Sequence, residues 1–194
     1  MITIINYNAG NIASVKYALE RLGCEYKITS DVDEIKNAEK IIFPGVGRAL
    51  QAMNELKKLG LVDVIKNIKV PFLGICLGLQ LFAEFSEEDD TQCLGIIEGR
   101  VKRFSNNVKI PQIGWNQVDF TKLSPLTDGI LNKSYFYFVN SYYFDTPDEY
   151  IIGKTDYGIS FPSIIQKNNF YATQFHPEKS GEVGEILLSN FIKL

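Results

Sequence analysis

The stretch Val70-Pro71-Phe72-Leu73-Gly74-Ile75-Cys76-Leu77-Gly78 decides how this chain is read. Residues 70–76 form an apolar run of strand length, the pattern of a strand buried on both faces, and a helical pattern begins near Leu77. One glycine stands two residues before the cysteine and another two after it. That is the nucleophile-elbow layout with Cys in place of Ser. The glycines let the chain turn sharply and bring strand and helix close together. An elbow of this kind raises its side chain at the carboxyl edge of a parallel sheet, where open α/β sheets carry their sites. The start of a helix also favours a thiolate through its free N–H groups and dipole. A small core cysteine in a tight turn is the competing reading.

The residues before the elbow alternate strand and helix. ITIIN (2–6) is β-branched and apolar. Asn11 is placed to cap a helix with Ile12, Val15, Leu19 and Leu22 on one face, ended by Gly23. EYKIT (25–29) reads as a second strand, 31–37 as a short helix, and KIIFPGVG (40–47) as a strand entering a Gly-rich turn. Leu50, Met53 and Leu56 mark the next helix. Strands alternating with helices predict an α/β fold: a doubly wound, mostly parallel central sheet with helices on both faces.

After the elbow the period changes. RVKRF, NQVDF, YFYFV, YYFDT, YIIGK, SIIQK and FYATQF are short, aromatic and β-branched, and predict an antiparallel or mixed extension of the sheet. SEEDDTQ (86–92) reads as a solvated acidic connection. A last helix from about Gly181 carries Val183, Ile186, Leu187, Phe191 and Leu194 on one face. With no repeat, low-complexity tract or linker, residues 1–194 read as a single domain.

Composition narrows the function classes. The 194 residues are 45% apolar and 22% charged, an ordinary globular mix. Twenty basic against 23 acidic residues give a net charge of -3, which offers no clustered basic surface for nucleic acid. The N-terminus MITIINYNAG lacks the basic start and long apolar run of a secretion signal, and no stretch approaches the ~20 apolar residues of a membrane span. Three widely spaced cysteines, Cys24, Cys76 and Cys93, fit a reduced cytoplasmic setting better than a disulfide framework. Cys24, just after the helix-ending Gly23, reads as packing; Cys93 has no assigned role. A single histidine excludes a metal site built from several, and no cofactor is implied.

That histidine, His176, lies in Gln174-Phe175-His176-Pro177-Glu178-Lys179. A strand ends there and Pro177 stops its ladder. Glu178, two residues on, is close enough to orient the imidazole, which completes a nucleophile–base–orienter set with Cys76. A half-buried histidine bonded to backbone is the alternative. Pro44-Gly45-Val46-Gly47 can point backbone N–H groups at a developing oxyanion, or be a plain turn; neither GxGxxG nor a Walker motif is present. Together these residues suit acyl transfer from an amide or ester, and leave the substrate open.

NYNAGN (6–11), PGVG (44–47), GICLGLQL (74–81), PQIGWNQV (111–118), YFVNSYY (137–143) and QFHPEKS (174–180) together resemble the class I (triad) glutamine amidotransferases, whose architecture is flavodoxin-like. More narrowly they resemble the glutaminase subunits of imidazole glycerol phosphate synthase. The resemblance implies that L-glutamine is hydrolysed through a thioester on Cys76, with His176 as base and then acid and Glu178 orienting it. It implies that the amides of Val46 and Leu77 hold the oxyanion, and that Gly45, Gly47, Gln80, Ser141 and Tyr142 line the substrate. It further implies a heterodimer with a (β/α)8-barrel cyclase that takes the ammonia. Asn11, Trp115, Tyr137 and Lys179 would lie at that interface, although Trp115 and Tyr137 also suit a core.

Three segments depart from the family pattern. The usual DYGxGN start is Asn6-Tyr7-Asn8-Ala9-Gly10-Asn11 here, with Asn6 for Asp and Asn8 for Gly, and Gln112 and Asn140 stand where His is usual. Gln and Asn keep hydrogen bonding but gain no proton near neutral pH. A paralogue feeding another synthase, in surface-sugar amidination or of the anthranilate type, and a non-catalytic regulatory relic are the competing readings.

Overall fold

The computed structural model describes residues 1–8 and 11–194; Ala9 and Gly10 of the NYNAGN start lie outside the described residues. In chain order come β1 (Ile2–Ile5), α1 (Ile12–Arg21), β2 (Tyr26–Thr29), α2 (Val32–Lys36) and β3 (Lys40–Gly45). Helices α3 (Ala49–Lys58) and α4 (Leu61–Lys66) lead to β4 (Phe72–Cys76), which α5 (Leu77–Gln80) follows without a break. Short strands come next: β5 (Phe85–Ser86), β6 (Thr91–Gln92), β7 (Arg100–Arg103), β8 (Gln112–Gln117), β9 (Asp119–Phe120), β10 (Tyr135–Asn140) and β11 (Tyr142–Asp145). Then follow β12 (Ile151–Asp156), β13 (Ser160–Lys167), β14 (Phe170–Thr173) and α6 (Gly181–Lys193).

Local chemistry sets the early boundaries. Asn11 Oδ1 accepts from the Ser14 N–H and caps α1, as its side chain predicts. Asp31 caps α2 through the N–H groups of Asp33 and Glu34. In α3 the buried stripe is Ala49, Ala52, Met53 and Leu56. Leu50, expected on that face, is 43% exposed because the stripe runs from position 49 at spacings of 3, 1 and 3. Helix α4 escaped the sequence reading: it is six residues long and enters through Gly60 in a left-handed conformation.

The main sheet has eight strands in the order β2-β1-β3-β4-β14-β13-β12-β9. The five from β2 to β14 are parallel, and β13, β12 and β9 continue the sheet antiparallel. Alternate residues face opposite sides, as the strand period demands. Ile2, Ile4, Ile42, Leu73 and Ile75 meet α1 and α6 on one face, and Ile5, Ile41, Phe43 and Phe72 meet α2 to α5 on the other. Each fully buried Phe or Ile stabilises this sandwich by ~2 kcal/mol. Among the described residues no helix is long and apolar enough to cross a membrane.

The predicted extension is only part of the second half. YIIGK, SIIQK and FYATQF join the main sheet, whereas RVKRF and YYFDT form a second sheet with β5 and β6, ordered β11-β7-β5-β6. YFYFV pairs with β8 in a separate two-stranded ribbon. Its alternation explains why. Phe136, Phe138 and Asn140 point inward while Tyr135, Tyr137 and Val139 point out, which suits a ribbon with one face on the core. NQVDF, read as one strand, is divided at Val118 between the ribbon and the main sheet.

Helix α5 crosses β3 so closely that a Cβ on Gly78 would stand 2.1 Å from the Phe43 carbonyl oxygen. Gly78→Ala should therefore destabilise the chain by about 3 kcal/mol or more, as backbone must give way. The urea-unfolding midpoint measures this; a loss under about 1 kcal/mol would mean that α5 is free to shift.

Candidate active site

The carboxyl ends of β1, β3, β4 and β14 lie side by side, and the chemistry-bearing residues stand on them. Cys76 ends β4 with φ 55 and ψ -106. A residue with a side chain adopts such a backbone only where its surroundings impose it, at a cost of about 1–3 kcal/mol. The turn lifts the thiol into a pocket, and Leu77 opens α5 with its N–H unused by the helix.

β14 runs beside β4 with Thr173 opposite Ile75, so the residues just beyond it flank Cys76. The His176 N–H donates to Tyr137 O at 2.9 Å, which ties the histidine to the ribbon. Ser180 Oγ donates to His176 O at 2.6 Å and accepts from the Tyr137 N–H at 3.0 Å, stapling the same corner. His176 Nδ1 and Glu178 Oε1 are 2.8 Å apart, with side chains 5% and 1% exposed. Burial opposes the imidazolium, but the Cys76 sulfur and the Glu178 carboxylate beside it outweigh burial, and His176 is pushed up to about 10. Glu178 Oε2 is buried without a hydrogen-bond partner.

The sulfur has two further polar neighbours. Cys76 Sγ lies 3.7 Å from Val139 O, and Gln174 Nε2 lies 3.7 Å from Sγ. Gln174 Oε1 accepts from Gln80 Nε2 at 3.1 Å, and the same Nε2 donates to Tyr142 O at 3.2 Å. Both N–H groups of Gln80 are thus engaged, and its Oε1 is left to accept from a ligand.

The PGVG turn is fastened at its two ends. At one end, the Tyr7 hydroxyl, fully buried, donates to Pro44 O at 2.9 Å. Burial and the neighbouring Cys76 push this phenol up, so it stays a hydroxyl donor. At the other end, the Glu88 carboxylate accepts from the Ala49 N–H at 2.8 Å. It caps α3, where Arg48 supplies no side-chain cap and pairs instead with Asp89. The acidic 86–92 segment is therefore not a wholly solvated connection. Glu88 turns inward, and burial raises it above the ordinary carboxylate range. Gly45 pairs with Cys76 across β3 and β4, and Gly47 has φ +104, a backbone that side chains rarely adopt.

The pocket encloses about 330 Å³ and is lined by Val46, Gly47, Cys76, Leu77, Gln80, Glu88, Pro111, Val139, Asn140, Ser141, Tyr142, His176 and Lys179. The expected catalytic, oxyanion and substrate residues line it except Glu178, which reaches the site through His176, and Gly45, which is buried beneath the turn. Trp115 and Tyr137 are cross-strand partners on the outer face of the ribbon, with ring centroids 6.0 Å apart. Trp115 is 55% exposed, against the core alternative. Asn11 is half-buried at the start of α1. Cys24 is half-buried, and Cys93 is a core residue pushed up to about 12 by burial and by Glu88. A larger open groove, about 950 Å³, lies between the 120–132 segment and the end of α6, without a cysteine or histidine.

Sequence reasoning missed Glu88, Ser180 and the contact of Gln174 with the sulfur. Glu88 was hidden among four consecutive acidic residues. Only the fold shows which of them faces inward.

The class-I glutamine amidotransferase family matches residues 3–194. The imidazole glycerol phosphate synthase subunit HisH of Haemophilus influenzae is 47% identical over 99% of this chain and 96% of its own length. The HisH subunit of Bacteroides fragilis is 49% identical over 100% and 99%, and that of Methanocaldococcus jannaschii 48% over 100% of both chains. Among solved structures, a glutamine amidotransferase superposes with a TM-score of 0.78 at 19% identity, covering 100% of this chain and 98% of its own. PurLQS from Thermotoga maritima gives 0.77 at 16%, covering 99% and 97%. The two structures share the fold; the HisH sequences carry the closer kinship. The chain belongs to the class-I glutamine amidotransferases and, among them, to the HisH-type glutaminase subunits of imidazole glycerol phosphate synthase.

Proposed function

We propose that Cys76, His176 and Glu178 hydrolyse L-glutamine in this pocket, and that a (β/α)8-barrel cyclase subunit receives the ammonia. The observation that carries the reading is the convergence of the chain's only histidine, held at 2.8 Å by a buried carboxylate, on a cysteine raised at a strand end. His176 already carries the thiol proton at neutral pH, and Cys76 attacks the carboxamide carbon as the thiolate paired with that imidazolium. The imidazolium then gives that proton to the leaving nitrogen, and a water hydrolyses the thioester. Glu178 fixes which ring nitrogen carries hydrogen and stabilises the imidazolium. The amides of Val46 and Leu77 receive the oxyanion. Gly47, Ser141 and Tyr142 surround the substrate, while Gln80 Oε1 and Glu88 offer two acceptors for its α-ammonium group.

The outer face of the ribbon supports the partner. Ile113, Trp115 and Tyr135 are 63%, 55% and 54% exposed beside a pocket that Lys179 also lines. A cluster of apolar and aromatic side chains this exposed is typical of an interface. Within such a complex the ammonia would be used to make imidazole glycerol phosphate and an aminoimidazole carboxamide ribonucleotide, in histidine biosynthesis. A reducing cytoplasmic setting, which keeps Cys76 a thiol, goes with this reading.

Cys76→Ala should abolish glutamine-dependent turnover by the assembled synthase while free ammonia still supports cyclisation. Surviving glutamine turnover would remove Cys76 from its role. Glu88→Gln keeps an acceptor for the α3 cap but loses the charge, so KM for L-glutamine should rise about tenfold with kcat less affected. An unchanged KM would place the α-ammonium elsewhere. The single imidazole gives an unambiguous NMR titration. His176 should hold its proton through neutral pH and lose it only as pH rises through about 10. Cys76→Ala and Glu178→Gln should each lower that midpoint; titration of the unsubstituted chain near 6.5 would mean the ring is not held by these two groups.

A further inference from the structure

Gln174 has no part in the steps above, yet it touches the reacting atom. Its side chain is fully buried, and a buried primary amide is costly unless its groups are matched. The backbone fixes its place: Thr173 pairs with Ile75, and the Gln174 N–H donates to Ser163 O at 2.9 Å. The orientation of its amide follows from its neighbours. Tyr142 O can only accept, so the Gln80 nitrogen must face it. The same nitrogen lies 3.1 Å from the Gln174 amide, which must therefore turn its oxygen to Gln80 and its N–H to the sulfur.

The two polar contacts of Sγ respond oppositely to loss of its proton. The thiol can donate to Val139 O at 3.7 Å; the thiolate has nothing to donate. The Gln174 N–H gains strength at the same moment, because donors bind a charged acceptor about twice as strongly as a neutral one. An interaction that grows as the nucleophile forms favours the thiolate, the species that attacks.

We propose that Gln174 is a catalytic residue, its side-chain N–H stabilising the Cys76 thiolate, with Gln80 linking the bound substrate to that donor. The proposal rests on the glutaminase reading. The thiol proton already resides on His176, the sulfur pair forms the C–S bond, and the carbonyl π pair moves to oxygen. As the tetrahedral species collapses, the C–N pair leaves with nitrogen, which takes the proton from His176. Gln174 keeps its own hydrogens throughout. An ammonium group donating to Gln80 Oε1 polarises Gln80 Nε2–H, which strengthens the bond to Gln174 Oε1 and sharpens the N–H aimed at sulfur. Hydrogen-bond chains are cooperative in this sense.

The test uses the full chain, alone for alkylation and assembled with its synthase partner for turnover. Gln174→Met removes the donor at similar volume. Iodoacetamide labelling at pH 7, followed cysteine by cysteine, should show Cys76 reacting about tenfold more slowly. Cys24 should react as before, and core Cys93 should stay protected. Glutaminase kcat should fall about tenfold or more with KM within about threefold. Unchanged Cys76 labelling and kcat with Cys93 still protected would overturn the proposal. A second reading needs no variant. In the unsubstituted chain, capping Cys76 with iodoacetamide removes the charged acceptor, so a side-chain amide proton of Gln174 should shift upfield in the 1H–15N spectrum. Gln174 signals unmoved by capping would overturn it equally, even if Gln174→Met failed to fold. Absence of Cys76-dependent glutamate release from the unsubstituted synthase would instead sink the glutaminase reading, a distinct outcome.

Discussion

A Cβ at position 78 would overlap the Phe43 carbonyl, so α5 can leave β4 at its observed angle only because that residue is glycine. From this close approach follows the rest of the site. It forces the chain to reverse within one residue, and Cys76 takes up a positive φ to do so. The reversal points Sγ out of the sheet edge toward β14 and the ribbon, between Val139 O and the Gln174 amide. It also leaves the Leu77 N–H unused at the start of α5. A looser crossing would relax Cys76 into ordinary extended backbone and turn the thiol away from His176.

The electrostatics of the site depend on the same geometry. A lone buried histidine ordinarily loses its proton more readily than one in water. Here the sulfur and the Glu178 carboxylate reverse that tendency. Glu178 can do so because Pro177 begins a single tight turn that carries the carboxylate back to Nδ1, and because Ser180 fastens the turn to both His176 and Tyr137. Tyr137 belongs to the ribbon whose outer face carries Trp115. His176 and that exposed aromatic face are therefore connected through one backbone pair and one hydroxyl.

What the sequence disclosed, and what it withheld, follow from the range of the forces involved. The parallel strands, Asn11 as a cap, the elbow and the His176–Glu178 pair rest on neighbours in sequence, and all were legible there. The division of the second half into three sheets was not, because RVKRF, YFYFV and YIIGK each read locally as a short strand, and which strand each pairs with is set by distant residues. Leu50 misled because a helix face shifted by one residue still has plausible spacing. Glu88 stayed hidden because its inward turn is set by the uncapped start of α3, 39 residues away. Gln174 was visible as a motif letter, but its contact with sulfur is a fact of strand register.

The PGVG turn shows how such long-range contacts shape chemistry. Tyr7 holds Pro44 O before the turn, and Glu88 holds the Ala49 N–H after it. Tyr7 comes from the end of β1, Glu88 from the acidic segment after β5, so two otherwise unrelated parts of the chain meet across one short loop. Between the end of β3 and the start of α3 lie Val46, Gly47 and Arg48, with Gly47 already in a backbone region closed to most side chains. Any rotation of a peptide plane in this stretch is confined to those residues and leaves β3 and α3 in place. Val46 can therefore change what its N–H faces without disturbing the strand that positions Cys76. Glu88 also lines the pocket, so the side chain that fastens one end of this turn stands at the same cavity as Cys76.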